Sequence, residues 1–176
     1  MMMKYFSLCL LVIFTGAFAY AAPQVRMQIQ GRGELVIELY PEKAPKTVAR
    51  FLQLVKSQFY DGVKFHRVEN NPRPFIVVTG DPLSKNTSLD DARVGTGGSG
   101  TKIPFEKNDL PFLDGTLGMV RDINDPDSAD SQFFICNGNQ RFLEGTYVAF
   151  GRVVKGLEII PKIVRGDTVI SIRIVE

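Results

Sequence analysis

The sequence predicts a mainly β domain, a closed antiparallel sheet with helices packed on it as lids. Three observations carry this. Eight short apolar runs, most of five to seven residues, are set apart by Gly, Pro, Asn or Asp. The first two runs alternate on either side of Gly31-Arg32-Gly33, which is a hairpin signal. Only two stretches carry helical spacing, and both are too amphipathic to form a core themselves.

In chain order, the strand runs begin with Val25 to Gln30 and Glu34 to Leu39. Lys46–Gln58 follows as a helix, because Val48, Phe51, Leu52 and Val55 fall on one face and Pro45 suits a first turn. Lys64–Val68 and Phe75–Thr79 are the next strands, and polar Ser84–Gly100 reads as an extended surface loop. Gly115–Val120, Gln132–Cys136 and Val148–Val153 continue the sheet, and Val169–Val175 ends it. Between the last two lies a second helix, Leu157–Val164, with Leu157, Ile160 and Val164 on one side. Pro161 inside it costs ~3 kcal/mol at an interior site, so this helix should be short or kinked.

The N-terminus is a different kind of segment. Lys4 precedes an apolar run from Leu8 to Phe14, then Ala17, Ala19, Ala21 and Ala22. A basic start, a short greasy stretch and small residues make residues 1–22 a cleaved secretory signal, cut between Ala19 and Ala22. The run is shorter than the ~20 residues a membrane-spanning helix needs. Residues 23–176 then form one domain.

Of 21 Lys and Arg, the signal removes Lys4 alone, which leaves the mature chain at +1 against 19 Asp and Glu. That balance gives no electrostatic case for nucleic acid. Cys9 leaves with the signal, so Cys136 has no partner for an internal disulfide and reads as a buried, inert thiol.

Most other polar signals have ordinary explanations. Gly95-Thr96-Gly97-Gly98-Ser99-Gly100-Thr101-Lys102 lacks the lysine placement of a phosphate loop. Asp122–Asp127 lacks the glycine and terminal glutamate of a calcium loop, so it reads as a solvated turn. His66 is the single histidine and, by strand alternation, points away from Phe65 and Arg67; a structural role fits it best. One histidine and one mature cysteine do not make a zinc site, and no metal or cofactor is expected. Arg67 is the exception. Alternation puts it on the face of Val63 and Phe65, where an always-charged guanidinium beside apolar groups can polarise a neutral amide. A surface arginine is the competing explanation.

Several motifs now occur together and in order: Phe65-His66-Arg67-Val68, Phe75 before Gly80-Asp81, Gly95-Thr96-Gly97-Gly98, Gly115-Thr116-Leu117-Gly118-Met119, Ser131-Gln132-Phe133-Phe134-Ile135 and Val148-Ala149-Phe150-Gly151-Arg152. With these the chain resembles the cyclophilins, peptidyl-prolyl cis–trans isomerases, from about Gln24 to Val175. Phe142 and Tyr147, where many eukaryotic members have Trp and His, make it similar to the exported bacterial members, which implies a periplasmic protein.

The resemblance implies a closed eight-stranded antiparallel barrel capped by two α-helices, with its site on the outer face. It implies a catalytic role for Arg67, a proline pocket of Phe75, Met119, Phe134 and Leu143 with Phe142 and Tyr147 beside it, a hydrogen-bonding Gln132, and a peptide-pairing backbone at Arg121. It also implies proline-containing polypeptides as partners, a monomer, and weakened binding of cyclosporin-like cyclic peptides, because Phe142 has no indole donor. The chain departs from the family in four places. Val78 replaces a substrate-facing glutamine, Arg121 replaces an asparagine, Asn70–Pro74 carries about three extra residues, and two more lie within Asp122–Asp130. These changes leave a second reading, a proline-peptide binding module with little turnover. A barrel holding a small apolar ligand is a third, and it requires an internal cavity.

Overall fold

The computed structural model describes residues 22–175, so the proposed signal lies outside the described residues except for Ala22. Eight strands make one sheet: β1 Gln24–Ile29, β2 Gly33–Leu39, β3 Arg67–Glu69, β4 Ile76–Thr79, β5 Thr116–Met119, β6 Phe133–Cys136, β7 Ala149–Lys155 and β8 Val169–Ile174. Their order is β3-β4-β6-β5-β7-β2-β1-β8, and every neighbouring pair is antiparallel.

The sheet is strongly curled, but it is not the continuous closed ladder expected. β3 and β8 are its two ends. They meet through the residues that lead into β3 and the start of β8, where Lys64 bridges Thr168. There Phe65 N–H donates to Asp167 O at 2.9 Å and Val169 N–H to Val63 O at 2.8 Å. The chain then leaves β8 and joins β4, with His66 N–H donating to Val78 O at 3.2 Å. This change of partner interrupts the strand expected over Lys64–Val68, so β3 starts only at Arg67.

Alternation along each strand sorts side chains into two clusters. Met27, Leu35, Leu117, Phe133 and Ile135 are fully buried inside the curl, so side chains occupy the interior. Phe51 from the helix α1 (Pro45–Lys56) reaches in, with its ring centroid 5.3 Å from Phe150, 5.4 Å from Tyr60 and 5.5 Å from Phe133. No residue of α1 caps its start; instead Glu106 accepts from Lys46 N–H at 2.9 Å and Thr47 N–H at 2.8 Å. A carboxylate there meets both the free donors and the positive end of the helix dipole.

The second expected α-helix is a 3₁₀ helix, Leu157–Lys162. Pro161 has no N–H for an α-helical ladder, and Ile163 N–H closes a three-residue turn to Ile160 O at 3.2 Å. Its buried residues are Ile159 and Ile160, while Val164 is half exposed.

The polar segment after β4 is a surface loop as expected, and the carboxylates of Asp81 and Asp130 pin it. Asp81, fully buried, accepts from the N–H groups of Leu83, Gly95 and Gly97. Asp130 accepts from Ser99 and Gly100. The glycine-rich loop therefore spends its N–H groups on protein carboxylates. At Gly97 a Cβ would lie 2.1 Å from Asp81 Oδ1, so only glycine permits this approach. The carboxylates of Asp122 and Asp125 likewise cap their own turn, accepting from Asn124 and Asp127.

Candidate active site

The second apolar cluster lies on the outer face of β4, β5, β6 and β7. It contains Ile76, Val78, Phe112, Phe134, Cys136, Leu143 and Ala149, with Phe75, Val120 and Tyr147 at its border. The register explains it. Arg67 pairs with Val78, Val78 with Phe134, Phe134 with Gly118, and Gly118 with Ala149, a row that crosses five strands on one face. Gly118 is what lets Phe134 lie flat on the sheet: a Cβ there would stand 2.2 Å from the Phe134 ring and 2.7 Å from Phe112. Phe134 stacks on Phe112 at 5.7 Å and meets Tyr147 edge-on at 5.5 Å.

A cleft of about 110 Å³ opens over this row, lined by Arg67, Phe75, Ile76, Val78, Val120, Arg121, Phe134, Leu143 and Tyr147. Six of the nine residues picked from the sequence meet here: Arg67, Phe75, Arg121, Phe134, Leu143 and Tyr147. Phe142 stands at the rim, 71% exposed, with its ring 5.6 Å from that of Phe75. Gln132 sits beside the cleft, where its amide donates to Gly95 O at 3.0 Å and Gly97 O at 2.7 Å. Those two bonds tie it to the glycine loop.

Met119 is misplaced by the sequence reading. It pairs with Phe133 and is buried in the interior cluster, on the opposite face from Phe134. Two lining residues were missed, Ile76 and Val120. Alternation carried the signal for both: Ile76 is two residues before Val78, and Val120 is one step beyond the inward Met119.

Arg67 also departs from its expected surroundings. Phe65 is interior, whereas Arg67 lies outside with Val78. Alternation fails at residues 65–67 because the chain changes ladder partner there. The guanidinium lies at the cleft mouth with 58% of its side chain exposed, and its Nε donates to Glu69 Oε1 at 2.5 Å. Arg121 is held by the carbonyls of Thr146 (2.7 Å) and Asp122 (2.8 Å) and lies over the Tyr147 ring at 5.4 Å. A second cavity of about 580 Å³ adjoins the cleft, sharing Val120 and Arg121 and extending past Lys102 to Asp130.

His66 lies next to Arg67 in an adjoining hollow, and its Nδ1 has no hydrogen-bond partner. Burial pushes the imidazole below its ordinary value, against the opposing pull of Asp81. Burial likewise pushes the Cys136 thiol up to about 12, which makes it unreactive.

The arrangement offers an apolar slot flanked by two guanidinium groups, Arg67 and Arg121, with no activated nucleophile among the described residues. Comparison with known proteins agrees with that chemistry. Residues 24–175 match the family described as cyclophilin type peptidyl-prolyl cis-trans isomerase/CLD. A Brucella suis protein named "Probable peptidyl-prolyl cis-trans isomerase" is 44% identical over 138 residues, covering 77% of this chain and 68% of that one. The peptidyl-prolyl cis-trans isomerase of Synechococcus elongatus is 36% identical over 146 residues, covering 82% and 91%. A crystal structure of a Cryptosporidium parvum cyclophilin type peptidyl-prolyl cis-trans isomerase superposes with a TM-score of 0.76 at 26% identity, covering 88% of this chain and 98% of that one. The same protein in the presence of the dipeptide Ala-Pro gives 0.73.

Proposed function

This chain belongs to the cyclophilin-type peptidyl-prolyl cis–trans isomerases, and we propose that it turns over X-Pro bonds in the outer cleft with Arg67 as the catalytic group. It is an isomerase by family; the residue roles are our reading. The observation that carries them is the convergence of Arg67 with Phe75, Ile76, Phe134 and Leu143 on one 110 Å³ cleft.

Amide resonance opposes rotation by ~18–20 kcal/mol, so uncatalysed prolyl isomerisation takes tens to hundreds of seconds. Phe75, Ile76, Phe134 and Leu143 hold the proline ring still. Arg67 then donates to the prolyl nitrogen, localises its lone pair and weakens the double-bond character of the bond. A guanidinium donates a hydrogen bond without giving up its proton, so nothing is transferred. The apolar wall and the covering peptide exclude water and strengthen that hydrogen bond. Met119, in the interior, has no part in this scheme.

The substrates are proline-containing polypeptides. Support comes from the apolar slot and from the Ala-Pro dipeptide used with the Cryptosporidium protein. The signal-like residues 1–22 support export, with folding of envelope proteins as the setting.

Isomerisation of a short proline peptide tests the assignment. Replacing Arg67→Ala should lower kcat/KM by about 10²- to 10³-fold, the usual cost of one oriented donor. Equal rates would remove Arg67 from the mechanism.

A further inference from the structure

Catalysis by a surface arginine has a positional difficulty. The side chain has four rotatable bonds, and a guanidinium more than half exposed has many places to be. The neighbour directly across the ladder is Val78, which has no polar atom to hold it. We propose that Glu69 is the positioning residue that holds Arg67 in its catalytic orientation.

Glu69 is two residues along β3 from Arg67, so both side chains stand on the outer face of the sheet. One carboxylate oxygen, Oε1, lies 2.5 Å from both Nε and Nη2 of the guanidinium. Among the described residues it is the one acceptor Arg67 meets. Contact through the Nε–Nη2 edge fixes the plane of the guanidinium and leaves Nη1 without a protein partner, free to donate into the cleft. A carboxylate fits this role because it accepts charge-assisted hydrogen bonds from two nitrogens at once.

The backbone under Glu69 is itself held. Glu69 pairs with Ile76 in the β3–β4 ladder. The loop between them is fastened to the rest of the fold by Asn137, whose amide donates to Asn70 Oδ1 at 3.0 Å, and by Gln140, which donates to Pro74 O at 3.1 Å. Both residues are buried. The loop is therefore part of the support of the anchor.

This inference rests on Arg67 being catalytic, and a double-mutant cycle separates the two. Peptide isomerisation is measured for wild type, Glu69→Ala, Glu69→Gln, Arg67→Ala and the Arg67→Ala/Glu69→Ala pair, with circular dichroism to confirm folding. Glu69→Ala should lower kcat about ten- to a hundredfold, as expected for a misplaced catalytic group, with KM little changed. Glu69→Gln keeps an acceptor oxygen and should remain within about threefold of wild type, since a neutral hydrogen bond is roughly half as strong. In the Arg67→Ala background, Glu69→Ala should change nothing further. The NMR signal of the Arg67 Nε–H group should be distinct in wild type and Glu69→Gln and collapse to the solvent-averaged position in Glu69→Ala. A Glu69→Ala enzyme as fast as wild type or faster overturns the proposal. So does a Gln variant as slow as the Ala variant, or an equal loss in the Arg67→Ala background. If Arg67→Ala alone costs nothing, it is the catalytic assignment that fails.

Discussion

His66, next to Arg67 in the chain, links the stability of the fold to pH. Burial lowers the His66 pKa, Asp81 opposes that shift, and Arg67 adds to it. The ordinary value of a histidine is about 6.5. A histidine with a depressed folded pKa is held neutral, so the unfolded chain binds more protons below pH 6.5 and stability rises with pH in that window. The stabilisation is complete above about pH 6.5 and is lost as pH falls toward and through the folded value. Denaturant midpoints at pH 7.5 and pH 5 should fall on acidification, and His66→Asn should reduce that slope. An unchanged slope would show that other groups produce it. At this same scale, Cys136 was readable in advance as a buried thiol, because it sits within an apolar strand run. Arg67 was readable as unusual, but its true face was not, because the rule of alternation assumes an unbroken ladder.

Among the elements, β5 and β6 carry the most compact piece of design. Gly118 and Phe134 face each other across the ladder, and the ring occupies the space of a missing side chain. Gly118→Ala should therefore cost about 1–3 kcal/mol as overpacking and raise KM for proline peptides, because Phe134 is pushed into the cleft. Thermal unfolding and peptide kinetics check both parts, and an unchanged KM would mean the ring relaxes sideways. Seven strand segments were legible to within a residue or two, since short alternating runs between Gly and Pro have few other interpretations. β3 came out shorter and the helix at 157–164 became 3₁₀, both for reasons that need partners or geometry: a change of ladder neighbour, and a proline in the second turn. Met119 entered the pocket through the family resemblance alone; the register pairs it with Phe133, on the opposite face from Phe134.

At the scale of the whole molecule, folding and recognition occupy different sides of one curled sheet. The inner cluster contains Phe51, Phe133 and Phe150, and the outer one contains Phe134, Val78 and Leu143. Cleavage of the export signal we propose can be checked directly. Mass spectrometry of the protein recovered from an envelope fraction should find an N-terminus between residues 20 and 23, and an intact Met1 there would refute cleavage. The two-sided sheet has a further consequence, for how the enzyme can evolve. Along residues 133 to 136 every second position answers to a different selection. In a saturation library of these four, growth at a permissive temperature with an activity screen should show a comb. Losses at Phe133 and Ile135 should track abundance, and losses at Phe134 should track substrate choice at normal abundance. Such a backbone can acquire new clients by drift on its outward teeth without renegotiating its own survival.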